Sequence, residues 1–376
     1  MAATAAKALR RIVVLMGGQS AERDVSLNTG ETVALRLASR GHRVRPVVIH
    51  ADGRWEVAAV RGGEGLAASA RAWFSGAGHC VEAALAELRR DQTEVIFNAL
   101  HGPGGEDGTV QGLFEIFGLP YTGPDVTAAA LAMDKRLTKE VLRAQGIATP
   151  RSFFVGPGCP RNGPAGAGAI DWESILAAGR ARFPFPWILK PNCLGSSVGV
   201  LKVKDAEAFL AQAGECERFL PWAASLEHSA RPGELLVEEF IPGRELTCGV
   251  VALDTARPVA LPPIEIRPRE AVFFDYQAKY TPGATEEICP APVSAAMTRR
   301  IQELAVRVHE AVRAAPLSRT DFILDAGGEL QVLEINTIPG MTATSLIPLS
   351  AGKAGMDLGE MFEGMVEHAL RRAGKS

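Results

Sequence analysis

The chain has 376 residues, 47% of them hydrophobic and 22% charged, with a formal net charge of −3. That length fits two or three domains with a sizeable core, and the small net charge without any Lys/Arg cluster argues against nucleic-acid binding. No apolar run approaches the roughly 18 residues of a membrane span, and cysteines scattered at 80, 159, 193, 216, 248 and 289, with no Cys-x-x-Cys pair, predict reduced thiols rather than a zinc cluster or disulfide framework.

Met1–Arg11 is Ala-rich and mildly basic, lacks an apolar stretch and a cleavage pattern, and reads as a frayed terminus rather than a targeting signal. Arg11–Met16 follows as an apolar strand, then a Gly17-Gly18 turn, a helix at about Ser26–Arg40 stopped by Gly41, and a strand at His42–His50. Glu94–Leu100 is another buried strand, which runs through the Gly-rich loop His101–Gly108 into a helix ending near Gly118. Alternating β and α segments predict a parallel sheet with right-handed crossovers. Ligands of such sheets sit beyond the carboxyl ends of the strands, where the Gly17–Arg23 and His101–Gly108 loops fall.

One or two helices are expected over Asp125–Gln145, and Gly156–Gly168, nearly uncharged and rich in Gly, Pro and Ala, reads as a surface loop. Trp187–Lys190 is a short strand that leads to Gly195-Ser196-Ser197-Val198-Gly199, a further strand and a helix at Asp205–Gly214. Leu235–Phe240 and Glu245–Leu253 are expected as two adjacent strands about a Pro242-Gly243 turn. Glu270–Thr285 reads as a lid or long loop, and Pro292–Ala315 and Met356–Arg372 as amphipathic helices.

The sharpest chemical signal lies near the end. Gly327-Gly328 between two alternating apolar runs predicts a two-residue hairpin turn with both glycines at positive φ. That register sets Asp321 opposite Glu334 and Arg319 opposite Asn336, all on one face. Facing carboxylates repel without a cation, so two carboxylates, an amide oxygen and one guanidinium point to Mg²⁺ and a polyphosphate rather than to a solvated hairpin face.

Other features are weaker alone. Small residues after Lys190 let backbone N–H groups approach phosphate, yet no Walker A pattern follows and a Gly-Ser turn is usually only a turn. Lys135 is a second candidate phosphate ligand. Glu238 and Glu245 flank a turn and could meet an amine and sugar hydroxyls, against an equal case for a charged rim on an edge strand. Glu22 and His101 sit on the two crevice loops.

The order of Gly17-Gly-Gln-Ser-Ala-Glu22, Ala99-Leu-His101-Gly-Pro-Gly-Gly-Glu-Asp-Gly, Met133-Asp-Lys135, Lys190-Pro, Gly195-Ser-Ser-Val-Gly, Phe274-Asp-Tyr-Gln-Ala-Lys279-Tyr280 and Glu334-Ile-Asn336-Thr-Ile-Pro-Gly340-Met-Thr resembles that of the ATP-grasp ligases, most closely the D-alanine–D-alanine ligase family. The resemblance runs from about Ile12 to the last helix. It implies an α/β, three-domain ATP-grasp fold whose N-terminal domain is a Rossmann-like parallel sheet, with domains at 1–132, 133–241 and 242–376 and a lid at about 270–286.

It further implies ligation of two D-alanines through an acyl phosphate, with ATP as co-substrate and two Mg²⁺ ions, Mn²⁺ being a substitute. Lys135, Lys190 and Lys279 match phosphate ligands, Ser196 and Ser197 the phosphate cover, Glu238 the adenine contact, Glu245 the ribose contact, and Phe273 is counted with them. Asp321, Glu334 and Asn336 match the metal ligands. Glu22, bordered by His101, matches the ammonium site of the first D-alanine, and Ser345 with Leu346 the carboxylate site of the second. Glu22, Ser196 and Tyr280 match a hydrogen-bonded triad, and Arg319 with the Gly340 N–H the oxyanion donors.

A cytoplasmic homodimer is implied by resemblance alone. The rivals are a ligase of the same architecture that takes D-lactate or D-serine, and an inactive ATP-binding regulator. A nicotinamide enzyme is excluded because the first turn lacks Gly-x-Gly-x-x-Gly spacing.

Overall fold

The computed structural model describes residues 8–58, 70–156, 159, 170–195, 199–212, 234–254, 257–268 and 285–375. Three sheets organise them. The first has the order β3-β2-β1-β4, built from β1 (Arg11–Gly17), β2 (Arg43–Ile49), β3 (Trp55–Val57) and β4 (Val95–Asn98). β1 pairs in parallel with both β2 and β4, and β3 adds an antiparallel edge. Because β1 alternates in a continuous apolar run, Ile12, Val14 and Met16 pack into one core and Val13 and Leu15 into another. The first core takes α1 (Arg23–Ser39); the second takes α2 (Val81–Arg90) and α3 (Thr109–Ile116). The chain leaves β1 for β2 on one side and reaches β4 on the other, so a crevice opens at their carboxyl ends.

The expected stretch at 125–145 is two helices, α4 (Val126–Met133) and α5 (Lys135–Ala144). Asp134 breaks them, ending one and capping the next through the Leu137 N–H at 3.1 Å. The second sheet has the antiparallel order β5-β8-β6-β7, made of β5 (Ser152–Val155), β6 (Trp187–Pro191), β7 (Leu201–Val203) and β8 (Leu235–Glu239). It buries Trp187 completely under α6 (Trp172–Arg180) and the helical segment α7 at 206–212.

The third sheet runs β12-β11-β9-β13-β14, with β10 also on β9. Its strands are β9 (Gly243–Val251), β10 (Val259–Ala260), β11 (Ile264–Pro268), β12 (Thr285–Ile288), β13 (Leu317–Asp325) and β14 (Leu330–Asn336). One face packs on α8 (Ala295–Ala311) through Leu246, Cys248, Val250, Phe322 and Leu324. The short α9 (Leu346–Lys353) leads to α10 (Leu358–Arg372), which returns to the first sheet and sets Phe362 edge-on to Phe97 at 5.5 Å. Among the described residues no helix is long and apolar enough to cross a membrane.

Three expectations need correction. β8 and β9 are consecutive but lie in different sheets, because β5 and β6 already occupy both edges of β8. That central position also overturns the edge-strand alternative for Glu238, which is only 2% exposed. The hairpin turn is not two residues long either. Asp325 and Glu329 close a three-residue turn, and only Gly328 takes positive φ, at 82°. Leu324 then faces Leu330, one residue out of the expected register, and Leu333 is skipped as a bulge between the Phe322–Val332 and Asp321–Glu334 pairs. The bulge restores Asp321 opposite Glu334 and Arg319 opposite Asn336. Unanticipated are α2, α6, α9, β3, β5, β10, β11 and β12, all of them short. Most of the 156–168 loop and of the 270–286 lid lies outside the described residues.

His309 on α8 is buried, with Nδ1 2.8 Å from the Ser318 hydroxyl, and burial pushes its pKa from 6.5 to about 4. The unfolded chain therefore binds the extra proton first. As pH falls from 6.5 to about 4, this histidine should remove up to about 3 kcal/mol of stability. Urea unfolding at stepped pH should show that loss, and His309→Gln should make the fall shallower by that amount, leaving the share of His368, which burial also lowers to about 4.

Candidate active site

Two loops meet at the crevice because small hydroxyls pin them. Ser26, wholly buried on α1, accepts from the Gly17 N–H and donates to the Ala99 carbonyl, both at 2.8 Å. Ser20 donates to the His101 carbonyl at 2.7 Å. The Glu22 carboxylate is thereby held against two glycine backbones: a Cβ on Gly102 would come 2.7 Å from its Oε2, and one on Gly195 2.8 Å. Gly195 belongs to the loop that follows β6, so Glu22 joins the first sheet to the second. His101 turns Nε2 to Thr29 Oγ1 at 3.1 Å and Nδ1 toward Glu106 at 3.7 Å.

The lysines come from the second unit. Asn192 ties the start of α5 to β6 by donating to Asp134 at 2.9 Å and accepting the Arg136 N–H at 2.9 Å. This directs Lys135 to the Leu194 carbonyl at 2.6 Å and to within 3.6 Å of Glu334. Beneath the cleft, Glu238 is clasped by Lys139 at 2.6 Å and Lys190 at 2.7 Å. Burial works against all three charges. It lowers Lys139 to about 8 despite Glu238, whereas for Lys190 the Glu238, Glu334 and Asp321 carboxylates outweigh burial and raise its pKa. The two lysines likewise overcome burial and lower the pKa of Glu238.

The third sheet supplies the row of alternating polar residues. Arg319 donates from Nε and Nη2 to both oxygens of Asp321, at 3.0 and 2.9 Å, and Thr247 on β9 donates to Asp321 at 2.6 Å. Asn336 is oriented by accepting the Ile338 N–H at 2.9 Å. Beyond it, Ser345 accepts the Thr342 N–H at 3.1 Å at the start of α9, where unpaired helix N–H groups favour an anion.

One cleft of about 330 Å³ collects Glu22, His101, Lys135, Glu245, Arg319, Asp321, Glu334, Asn336, Gly340, Ser345 and Leu346. Lys190 and Glu238 stand behind its wall rather than on it. Ser196, Ser197, Phe273, Lys279 and Tyr280 lie outside the described residues. Thr247, Thr29, Glu106 and Lys139 escaped the sequence reading. Two of them had a signal: Thr247 stands two residues after Glu245 on one strand face, and Lys139 one helical turn after Lys135. Among the described residues no three of Asp, Glu, His or Cys form a metal cage. Two facing carboxylates and an amide oxygen do suit a hard cation that completes its shell with phosphate and water.

Two family models match the chain: D-ala D-ala ligase N-terminus over residues 11–124 and D-ala D-ala ligase C-terminus over residues 169–367. A D-alanine–D-alanine ligase of Methylobacterium radiotolerans is 36% identical over 364 residues, which span 96% of this chain and 98% of the relative. Among solved structures, the Bacillus anthracis D-alanine–D-alanine ligase complexed with ATP is 27% identical with a TM-score of 0.70, covering 98% of this chain and 99% of its own. The VanG D-Ala:D-Ser ligase of Enterococcus faecalis is 28% identical with a TM-score of 0.75, covering 96% and 100%.

The seat of Glu22 can be tested by a glycine pair. Gly102 and Gly104 both have positive φ, at 73° and 84°, but a Cβ on Gly104 meets nothing within 4 Å. Gly104→Ala should cost only the left-handed backbone penalty of about 1–2 kcal/mol. Gly102→Ala should cost more in thermal unfolding, because the Glu22 carboxylate must also move.

Proposed function

The chain belongs to the D-alanine–D-alanine ligase family and has its ATP-grasp fold, and we propose how its residues join two D-alanines into D-alanyl-D-alanine for peptidoglycan precursors while ATP is cleaved to ADP and phosphate. The observation that carries this reading is the meeting, in one cleft, of the Glu22 crevice, the Arg319–Asp321–Glu334–Asn336 row and the Ser345–Leu346 helix start.

A carboxylate is a poor electrophile, so the first D-alanine attacks the γ-phosphoryl group through its carboxylate oxygen, giving an acyl phosphate and ADP. Glu22 holds its ammonium, with His101 at the border of the same subsite. Lys135 and Lys190 offset phosphate charge, and Ser196, Ser197 and Lys279 close over it. Glu238 is assigned to adenine, Glu245 to ribose and Phe273 to the nucleotide wall. Asp321, Glu334 and Asn336 would hold two Mg²⁺ ions, or Mn²⁺ in their place, which supply charge withdrawal from the transferring phosphoryl group.

Ser345 and the Leu346 N–H receive the carboxylate of the second D-alanine, whose amine attacks the acyl carbonyl. Arg319, its plane fixed by two bonds to Asp321, and the Gly340 N–H stabilise the oxyanion, and phosphate departs. Tyr280, with Ser196 and Glu22, closes the site against water. The three sheets support domains at 1–132, 133–241 and 242–376. A cytoplasmic homodimer completes the proposal by family membership.

Phosphate release should be followed with ATP, Mg²⁺ and D-alanine, alone and with D-serine or D-lactate, and products identified by mass. D-alanyl-D-alanine should form, and Arg319→Ala should lower kcat by on the order of 10²–10³-fold. Mixed products dominating whenever D-serine or D-lactate is added would move the chain to the other acceptor classes, and ATP binding without turnover would sink the mechanism.

A further inference from the structure

The buried ion group behind the cleft contains one member without a task in that mechanism. Lys139 lies on α5 one helical turn after Lys135, and its side chain is 2% exposed. Its Nζ reaches Glu238 Oε1 at 2.6 Å and donates to the Pro150 carbonyl at 3.0 Å. The other Glu238 oxygen lies 2.7 Å from Lys190 Nζ. Glu238 is thus balanced from two sides, and the three groups together carry one net positive charge.

A buried ammonium is expensive to keep, and an apolar side chain of similar volume commonly serves stability as well or better. Fold stability alone therefore gives a weak reason for a lysine here. Lys190 is the member placed toward the cleft, since it is the one that also feels Glu334 and Asp321. With Lys190 alone against Glu238, that pair would be neutral, and a polyphosphate would have to compete with Glu238, its hydrogen-bonded partner, for the charge of Lys190. We propose that Lys139 is a positioning residue for nucleotide binding: it neutralises Glu238 from behind, so that the charge of Lys190 stays available to the phosphates. Lys139 itself touches no part of the substrate. The inference rests on the assignment of Lys190 to ATP phosphates.

The test is calorimetric titration of the full-length protein with Mg²⁺ and a non-hydrolysable ATP analogue, and separately with tripolyphosphate, which lacks adenine. Lys139→Met should weaken both ligands by about tenfold or more, raise the KM for ATP and leave the KM for D-alanine near the parent value. Lys139→Arg should bind like the parent. The informative variant is Lys139→Met with Glu238→Gln, which restores one net positive charge and should recover most tripolyphosphate affinity.

Should the single Met variant fail to fold, the double variant is compared with Glu238→Gln alone, which has one more positive charge and should bind tripolyphosphate more tightly. A double variant no better than the single one, or a Lys139→Met protein that loses only thermal stability, would overturn the proposal. So would a Lys139→Met protein that weakens the analogue but not tripolyphosphate. Lys190→Met with undiminished affinity for both ligands would instead strike down the Lys190 assignment, and the proposal with it, a result the Lys139 variants cannot produce.

Discussion

The phase of one strand governs where the chemistry of this protein can be placed. β13 pairs with β9 over the whole of Leu317–Asp325, so its even-numbered residues Phe322 and Leu324 are committed to the core over α8 and its odd ones, Arg319 and Asp321, to the cleft. β14 must present its acids to the same side. The three-residue turn taken by the chain would pair Leu333 with Asp321 and send Glu334 into the core, since a slip of one residue exchanges the two faces of a strand. Skipping Leu333 repairs the phase: Val332 and Ile335, three apart, both face the core, while Glu334 and Asn336 face the cleft. The core thus enforces the bulge, and the bulge makes the polar row.

Around that row the charges are arranged so that each cation already has an acidic neighbour. Arg319 grips Asp321, Lys135 approaches Glu334, and Lys190 grips Glu238. Such pairing lets several like charges stand close together at the edge of a low-dielectric interior, where an unpaired one would be costly. It also means that an incoming polyphosphate and its cations exchange partners with groups already ionised. Thr247 and Asn192, both neutral, hold the geometry by donating to Asp321 and to Asp134 respectively, without changing the charge balance.

The crevice in the first sheet contributes the other half of the site by topology. β1 sends its chain one way and receives β4 on its other edge, so two loops converge on α1. Buried hydroxyls on α1 then fix them: Ser26 joins the two loop starts, and Thr29 bonds His101 and accepts the Met341 N–H at 3.5 Å. The return of α10 onto β4, with Phe362 edge-on to Phe97, ties the end of the C-terminal unit to the first sheet.

Much of this was legible in the linear chain. Apolar runs such as Ile12–Met16 marked buried parallel strands, glycine-rich loops after them marked the crevice, and alternation placed Arg319, Asp321, Glu334 and Asn336 on one face; these are local periodicities, and a linear sequence displays them directly. The hairpin register came out right only because two departures from the expected turn cancel, which no local rule anticipates. What tertiary structure alone decided is which distant groups touch: that β8 and β9 part into different sheets, that Glu22 is seated on Gly195, that Thr247 holds Asp321, and that Glu238 is buried between Lys139 and Lys190. Contacts between residues this far apart in the chain depend on how whole sheets pack, and a carboxylate in a strand looks the same in sequence whether its neighbours are water or two lysines.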